Sequence, residues 1–291
     1  MPLAPANGIE IAYETFGDPA DPTVLLVMGL GSQMIHWDVE FCQGIVDRGF
    51  HVVRFDNRDV GESTYIDEPV DIFAARGAAG SSEPPAVPYL LSDMAGDTVG
   101  LLDHLGVEQA HLFGVSMGGM IAQTVAIEHG HRVRSLTSVM STTGDPDVGA
   151  PTAEAMTTLL SPPPQSRAEI QDAAVRYAGV WGSPGLFDEA RLRRTAGQAW
   201  DRGYNPSGTA RQLAAIFASG SRSAGLAEID VPTLVIHGTA DTLVNPSGGE
   251  RTAEVIPDAK LLMVDGMGHD LAPTLWPQII EAFVSHAGPH S

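Results

Sequence analysis

A serine between glycines, an aspartate in one glycine loop and a histidine in another could together cleave an acyl bond. The serine stands in Gly114-Val-Ser116-Met-Gly118. Before it, the apolar run 110–115 predicts a buried strand; after it, the small apolar segment 117–127 predicts a helix. A strand that turns at once into a helix leaves no room for side chains beside the turning residue, hence the flanking glycines. The turning residue itself is strained, with its side chain pushed outward. Its Oγ would then stand at a helix N-terminus, where N–H groups steady developing negative charge. With 32 glycines in 291 residues, the bare pattern is not rare. The strand before it and the helix after it raise its weight.

Two further reactive residues follow predicted strand ends. Asp241 comes just after strand 232–237, in His237-Gly-Thr-Ala-Asp241, and His269 just after strand 260–264, in Asp265-Gly-Met-Gly-His269. An imidazole can take the serine proton, and a carboxylate on its other nitrogen fixes the tautomer and stabilises the imidazolium. Among ten histidines, His269 alone sits in a glycine turn after a late strand. His111 and His237 fall within predicted strands, and His129 and His131 at a helix end. For the carboxylate, Asp145, just past strand 134–140, rivals Asp241, whose spacing from its strand is tighter.

These residues need a sheet whose strand ends converge. The segment 9–16 alternates as a strand, and 23–28 is a continuous apolar strand ending in Gly29-Leu-Gly31. Residues 37–48 have helical periodicity and 50–55 form another strand. Residues 66–88, rich in Ala, Gly, Ser and Pro, read as a long mobile loop. An amphipathic helix follows over 90–105, with Ser92 as its N-cap, and further helices fall near 246–256 and 275–286. Alternating strands and helices predict a mostly parallel sheet covered on both faces, with ligands bound outside the carboxyl ends of its strands.

The alternation stops over 145–228, which reads as several helices broken by proline and glycine clusters. The expected division is a core of residues 1–144 and 229–291 with a helical cap, 145–228, inserted in it. Charge sorts the same way. The insertion holds 9 acidic and 8 basic side chains, whereas the rest holds 27 and 8.

A net charge of −20 disfavours nucleic acid and anionic membrane surfaces as partners. The single cysteine, Cys42, excludes an intrachain disulfide and lies in what reads as a packed helix, as an inert thiol. No window approaches 18 uninterrupted apolar residues, and the first residues lack a basic or apolar leader segment. A soluble cytoplasmic protein without stable membrane insertion is the expectation, and a homodimer is compatible with it.

Gly114-Val-Ser-Met-Gly118, Asp241 and Gly268-His269 resemble the α/β-hydrolase fold family over essentially the whole chain. The pair Val27-Met-Gly-Leu-Gly31 and Arg54-Phe-Asp-Asn-Arg-Asp-Val-Gly-Glu-Ser63 is similar to a branch of bacterial serine esterases. That branch includes mycobacterial carboxylesterase/lipase-like proteins and, more distantly, aclacinomycin methylesterase. The resemblance implies an eight-stranded, mostly parallel sheet with an inserted helical cap. It also implies a serine carboxylesterase that hydrolyses small to medium esters through an acyl-enzyme, with Ser116, Asp241 and His269 as catalytic triad and no metal or organic cofactor. By the same resemblance the N–H groups of Leu30 and Met117 form the oxyanion hole, and Gly29 contacts substrate. The family usually begins this loop with His-Gly. Met28 stands in the His position here, a departure that leaves the backbone donors in place. Trp37 either lines the acyl pocket or packs in the core. Asp56, Arg58, Gly61 and Ser63 resemble the family's turn after the fourth strand and read as buttresses of the oxyanion loop. Apolar insertion residues such as Trp181, Trp200, Leu213 and Phe217 could line a pocket, though most should form the cap's own core.

Rival activities on this fold are a carbon–carbon bond hydrolase, a perhydrolase and an amidase. Serine argues against haloalkane dehalogenase and epoxide hydrolase members, which by resemblance use Asp there. A non-catalytic ligand receptor is the rival from another class. A nucleotide-binding protein is weaker, because residues 114–119 lack Gly-x-Gly-x-x-Gly and no Lys follows for a P-loop.

Overall fold

The continuous apolar runs of the sequence form the middle of a sheet. The computed structural model describes residues 1–77 and 86–288. Its strands are β1 (Leu3–Ala6), β2 (Ile9–Phe16), β3 (Thr23–Val27), β4 (His51–Phe55), β5 (Ala110–Val115), β6 (Val133–Val139), β7 (Thr233–Gly238) and β8 (Lys260–Val264). They lie in the order β1-β2-β4-β3-β5-β6-β7-β8. The pairs β1–β2 and β2–β4 are antiparallel, and every pair from β4 to β8 is parallel.

Successive strand residues point to opposite faces, so the apolar runs feed two cores. Leu25, Val27, Val53, Leu112 and Leu136 pack under α3 (Leu91–Leu105) and α4 (Met117–Glu128), against Leu101, Ile121 and Val125. Val24, Leu26, Val52, Phe113 and Ile236 face α1 (Val39–Val46) and α11 (Trp276–Ala287), against Phe41, Ile45, Ile279 and Phe283. Cys42 on α1 is buried in this second core, and burial pushes its thiol up to about 12. The remaining core helix, α10 (Ser247–Val255), lies between β7 and β8 in the chain.

Several local expectations need correction. The strand β1 has no counterpart in the periodicity reading, because Leu3-Ala-Pro-Ala6 does not alternate and contains proline. It pairs only along one side, where a missing N–H is tolerated. Residues 66–88 are not structureless throughout, since Ile72–Gly77 forms the helix α2; residues 78–85 of that stretch lie outside the described residues. Ser92 does not cap α3. Asp93 does so by accepting the Leu90 N–H at 2.8 Å, while Ser219 accepts the Leu91 N–H at 3.0 Å. The helix expected over 37–48 begins only at Val39, after a separate 3-10 turn at Met34–His36.

Between β6 and β7 run α5 (Ala153–Leu159), α6 (Arg167–Trp181), α7 (Glu189–Arg202), α8 (Pro206–Ser219) and α9 (Ser223–Leu226). Thr152, Ser166, Asp188 and Asn205 each start one of the first four by accepting a first-turn N–H, which is why polar residues punctuate this stretch. Arginines of these helices meet aspartates of the rest of the chain. Arg191 pairs with Asp38, Arg202 with Asp56 at 2.9 Å and Arg211 with Asp59 at 2.8 Å. Among the described residues, no helix is long and apolar enough to cross a membrane.

Candidate active site

The order of the sheet opens a crevice at one edge. From β3 the chain moves to β4 on one side, while β5 lies on the other. Loops leaving the carboxyl ends of β3 and β5 therefore part, and ligands bind at such a reversal. The loop after β3 carries Gly29 and Leu30, and β5 runs directly into Ser116. Because β7 and β8 are parallel to β5, the residues that follow them, Asp241 and His269, emerge at the same edge.

Close packing explains the glycines around Ser116. A Cβ on Gly114 would lie 2.2 Å from the Gly118 carbonyl oxygen, and one on Gly118 would lie 2.0 Å from that of Val27. Ser116 is left at φ 55°, ψ −122°, a conformation that costs on the order of 1–3 kcal/mol and persists only where its surroundings enforce it. Here the Ser116 N–H donates to Val139 O at 2.9 Å, and its carbonyl accepts from Gly119 N at 2.9 Å and Ser141 Oγ at 2.8 Å. The side chain is projected out of the turn, at the N-terminus of α4.

His269 Nε2 lies 2.9 Å from Ser116 Oγ, and its Nδ1 lies 2.7 Å from Asp241 Oδ2. The other oxygen of Asp241 accepts the N–H groups of Leu243 and Val244, both at 2.9 Å, so the carboxylate cannot turn. Burial alone would raise the Asp241 carboxyl. The attraction of the His269 ring, hydrogen bonds from the His237 and His269 rings and the Val244 N–H outweigh it and hold the group well below the usual carboxylate range. An ionised acceptor on Nδ1–H leaves Nε2 as a lone-pair acceptor for the serine proton. His237 donates its Nε2–H to Val244 O at 2.9 Å, and this nitrogen lies 3.5 Å from Asp241. The rival Asp145 is engaged elsewhere, accepting from Ser221, Ser223 and Arg251.

Gly29 is packed against the serine, its ideal Cβ 3.2 Å from that of Ser116. Among the described residues, the N–H groups of Leu30 and Met117 have no hydrogen-bond acceptor. They are the two backbone donors beside Ser116 that a tetrahedral oxyanion could use. Asp56 holds this loop by accepting the Met34 N–H at 2.7 Å, and Ser63 Oγ donates to Asp56 O at 2.6 Å. Two supports had no sequence signal, because each acts on a backbone atom far along the chain. Asn57 Nδ2 donates to Met28 O at 2.9 Å, and Gln33 Nε2 donates to Ala199 O at 2.8 Å on α7.

Trp37 takes the second of its two expected places, and Arg58 departs from its own. Trp37 is 1% exposed, stacked on Phe41 at 5.5 Å and edge-on to Phe113 at 5.7 Å, so its ring belongs to the core and not to a substrate pocket. The Arg58 side chain turns away from the loop after β3 to a buried bidentate pair with Asp97 on α3, both contacts 2.6 Å. In the insertion, Trp181 stacks on Tyr177 at 5.0 Å and Trp200 on Tyr204 at 4.9 Å.

Comparison with known proteins agrees with this architecture. The family described as alpha/beta hydrolase fold matches residues 22–273. The chain is similar to the rhodomycin D methylesterase of Streptomyces peucetius, 27% identical over 297 residues that cover 94% of this chain and 93% of that protein. It is 25% identical to a 3-oxoadipate enol-lactonase of Acinetobacter baylyi over 266 residues, covering 89% of this chain and 86% of the relative. Among solved structures, the enol-lactonase from Burkholderia xenovorans superposes with a TM-score of 0.75 at 23% identity, over 98% of this chain and 99% of the other, a likeness of fold.

Proposed function

The chain belongs to the α/β-hydrolase fold family, and on that footing we propose that it is a serine carboxylesterase. The observation that carries the reading is the unbroken line from Ser116 Oγ through His269 to Asp241, with contacts of 2.9 and 2.7 Å. Ser116 attacks an ester carbonyl while His269 Nε2 takes its proton, and Asp241 stabilises the imidazolium that forms. The carbonyl oxygen, now an oxyanion, lies against the N–H groups of Leu30 and Met117 and the positive end of α4. His269 then passes its proton to the leaving alkoxide, so that an alcohol departs and an acyl-enzyme remains. Water, deprotonated by the same imidazole, hydrolyses that ester and restores Ser116.

Small to medium esters are the substrates in this reading, in a cytoplasmic setting, and every proton has a carrier without a metal or organic cofactor. Residues 1–144 and 229–291 form the hydrolase core, and 145–228 a cap beside the site. Relatives named for ester and lactone cleavage support this chemistry.

The test is hydrolysis of a short p-nitrophenyl ester by wild type and Ser116→Ala, with mass spectrometry after a fluorophosphonate probe. A loss of at least about 1,000-fold, and an adduct on Ser116, are expected. An unchanged rate in Ser116→Ala ends the proposal. Faster turnover of a vinylogous diketone than of any ester in a panel would move the reading to carbon–carbon hydrolysis.

A further inference from the structure

We propose that the helices between β6 and β7 set both halves of the reacting geometry, with Gln212 positioning the oxyanion loop and Ser183 the histidine loop. The inference rests on the serine-esterase reading above. Neither residue touches the reacting atoms, so both are positioning residues.

Gln212 on α8 is fully buried, and both ends of its amide are engaged. Its Oε1 accepts the Gly31 N–H at 2.8 Å, and its Nε2 donates to Arg58 O at 2.8 Å. Gly31 has φ +64° and directly follows Leu30, whose N–H is the loop's oxyanion donor. Glycine in the left-handed region has many alternative conformations open to it. The peptide unit is rigid, so fixing the Gly31 N–H fixes the plane that leaves Leu30. On the same helix, Thr209 closes the space beside Gly31, where a Cβ would lie 2.8 Å from its Oγ1. An amide that holds the loop in one orientation keeps the Leu30 donor aimed before the oxyanion forms. Preorganised donors of this kind account for large transition-state effects.

The end of α6 does the same for His269. The His269 N–H donates to Trp181 O. Ser183, also fully buried, accepts the Gly268 N–H on its Oγ at 2.9 Å. Both its N–H and its hydroxyl donate to Asp270 Oδ1. Approach is so close that a Cβ on Gly268 would lie 2.4 Å from the Gly182 carbonyl. Three consecutive insertion residues therefore grip three consecutive residues around the imidazole. Nearby, Thr242 Oγ1 donates to Val180 O at 2.8 Å, which ties the aspartate loop to the same helix.

The experiment measures kcat and KM on p-nitrophenyl butyrate for wild type, Gln212→Met, Gln212→Glu and Ser183→Ala, well below each variant's Tm. Affinity for a phenylboronic acid, which forms a tetrahedral adduct on the serine, is measured in parallel. Gln212→Met is expected to lower kcat about 10- to 100-fold with KM within about threefold, and to weaken boronic acid binding in proportion. Gln212→Glu keeps an oxygen for the Gly31 N–H and recovers part of the loss. Ser183→Ala is expected to slow both hydrolysis and fluorophosphonate labelling by about tenfold, since both need His269 to take the Ser116 proton. Wild-type kcat and boronic acid affinity in Gln212→Met and Ser183→Ala, with Ser116→Ala inactive, would overturn the inference and leave the esterase reading standing. Undiminished activity of Ser116→Ala would overturn that reading itself. If Gln212→Met does not fold, Gln212→Asn, whose shorter amide cannot reach both Gly31 and Arg58, replaces it with the same expected loss and the same overturning result, and Ser183→Ala decides for the histidine loop.

Discussion

Asp241 Oδ2 lies 2.7 Å from Nδ1 of His269, and the rest of that carboxylate is occupied by the N–H groups of Leu243 and Val244. The imidazole is thereby oriented by a group that can neither rotate nor readily take a proton. Replacing it with a neutral amide keeps the shape and removes the charge.

Asp241→Asn is accordingly expected to lower kcat by about 10,000-fold through the wrong imidazole tautomer, while Tm moves little by comparison. Steady-state kinetics on a p-nitrophenyl ester checks it. Retention of more than about a tenth of the wild-type kcat would speak against Asp241 as the group that orients His269.

Gly118 marks the crossing of the helix after Ser116 with the end of β3. A methyl there would lie 2.0 Å from Val27 O and 2.8 Å from Met28 O, backbone atoms that cannot step aside singly. Gly118→Ala should cost about 3 kcal/mol or more in denaturant unfolding, as severe overpacking does, and displace the nucleophile in whatever folds.

Arg58 and Asp97 form a buried pair, with side chains 8% and 3% exposed. Burial alone would lower the Arg58 guanidinium, but the hydrogen bonds and charge of Asp97 outweigh it and raise the group. Removing one partner strands the other charge. Asp97→Leu is expected to destabilise by about 3–5 kcal/mol, read from the shift in denaturant midpoint at unchanged slope.

Asp145 supplies a pH signature. Burial works to raise its carboxyl, but hydrogen bonds from Ser221, Ser223, Thr143 and Arg251 prevail and hold it at about 2. Its folded value lies below the unfolded value of about 3.9. The stabilisation is therefore complete above about pH 4 and is lost as pH falls towards about 2. Thermal unfolding of wild type and Asp145→Asn should differ most near neutrality and converge on acidification. A gap that stays constant from about pH 6 to pH 3 would show that this carboxylate contributes no linkage.

Much of the site was legible in the chain because its parts are local. A nucleophile turn needs small residues at fixed offsets, and strand ends that carry Asp241 and His269 announce themselves as apolar runs followed by glycine. Parallel pairing then sends those ends to one edge. One missed element had a local signal too. The Asn7-Gly8 pair, with φ of 49° and 83°, is the two-residue turn that folds β1 back on β2.

Most strands and helices, the strained serine turn and the loops that bear Asp241 and His269 can be read from the chain alone, since backbone sterics and the periodicity of burial act over a few residues. Packing between distant elements is what turns Trp37 inward, sends Arg58 to Asp97 and brings Gln212 and Ser183 to the loops beside Ser116. Those outcomes depend on how helices far apart in the chain come to rest on the sheet. A glutamine amide or a serine hydroxyl looks the same in sequence whether water or a buried N–H becomes its partner.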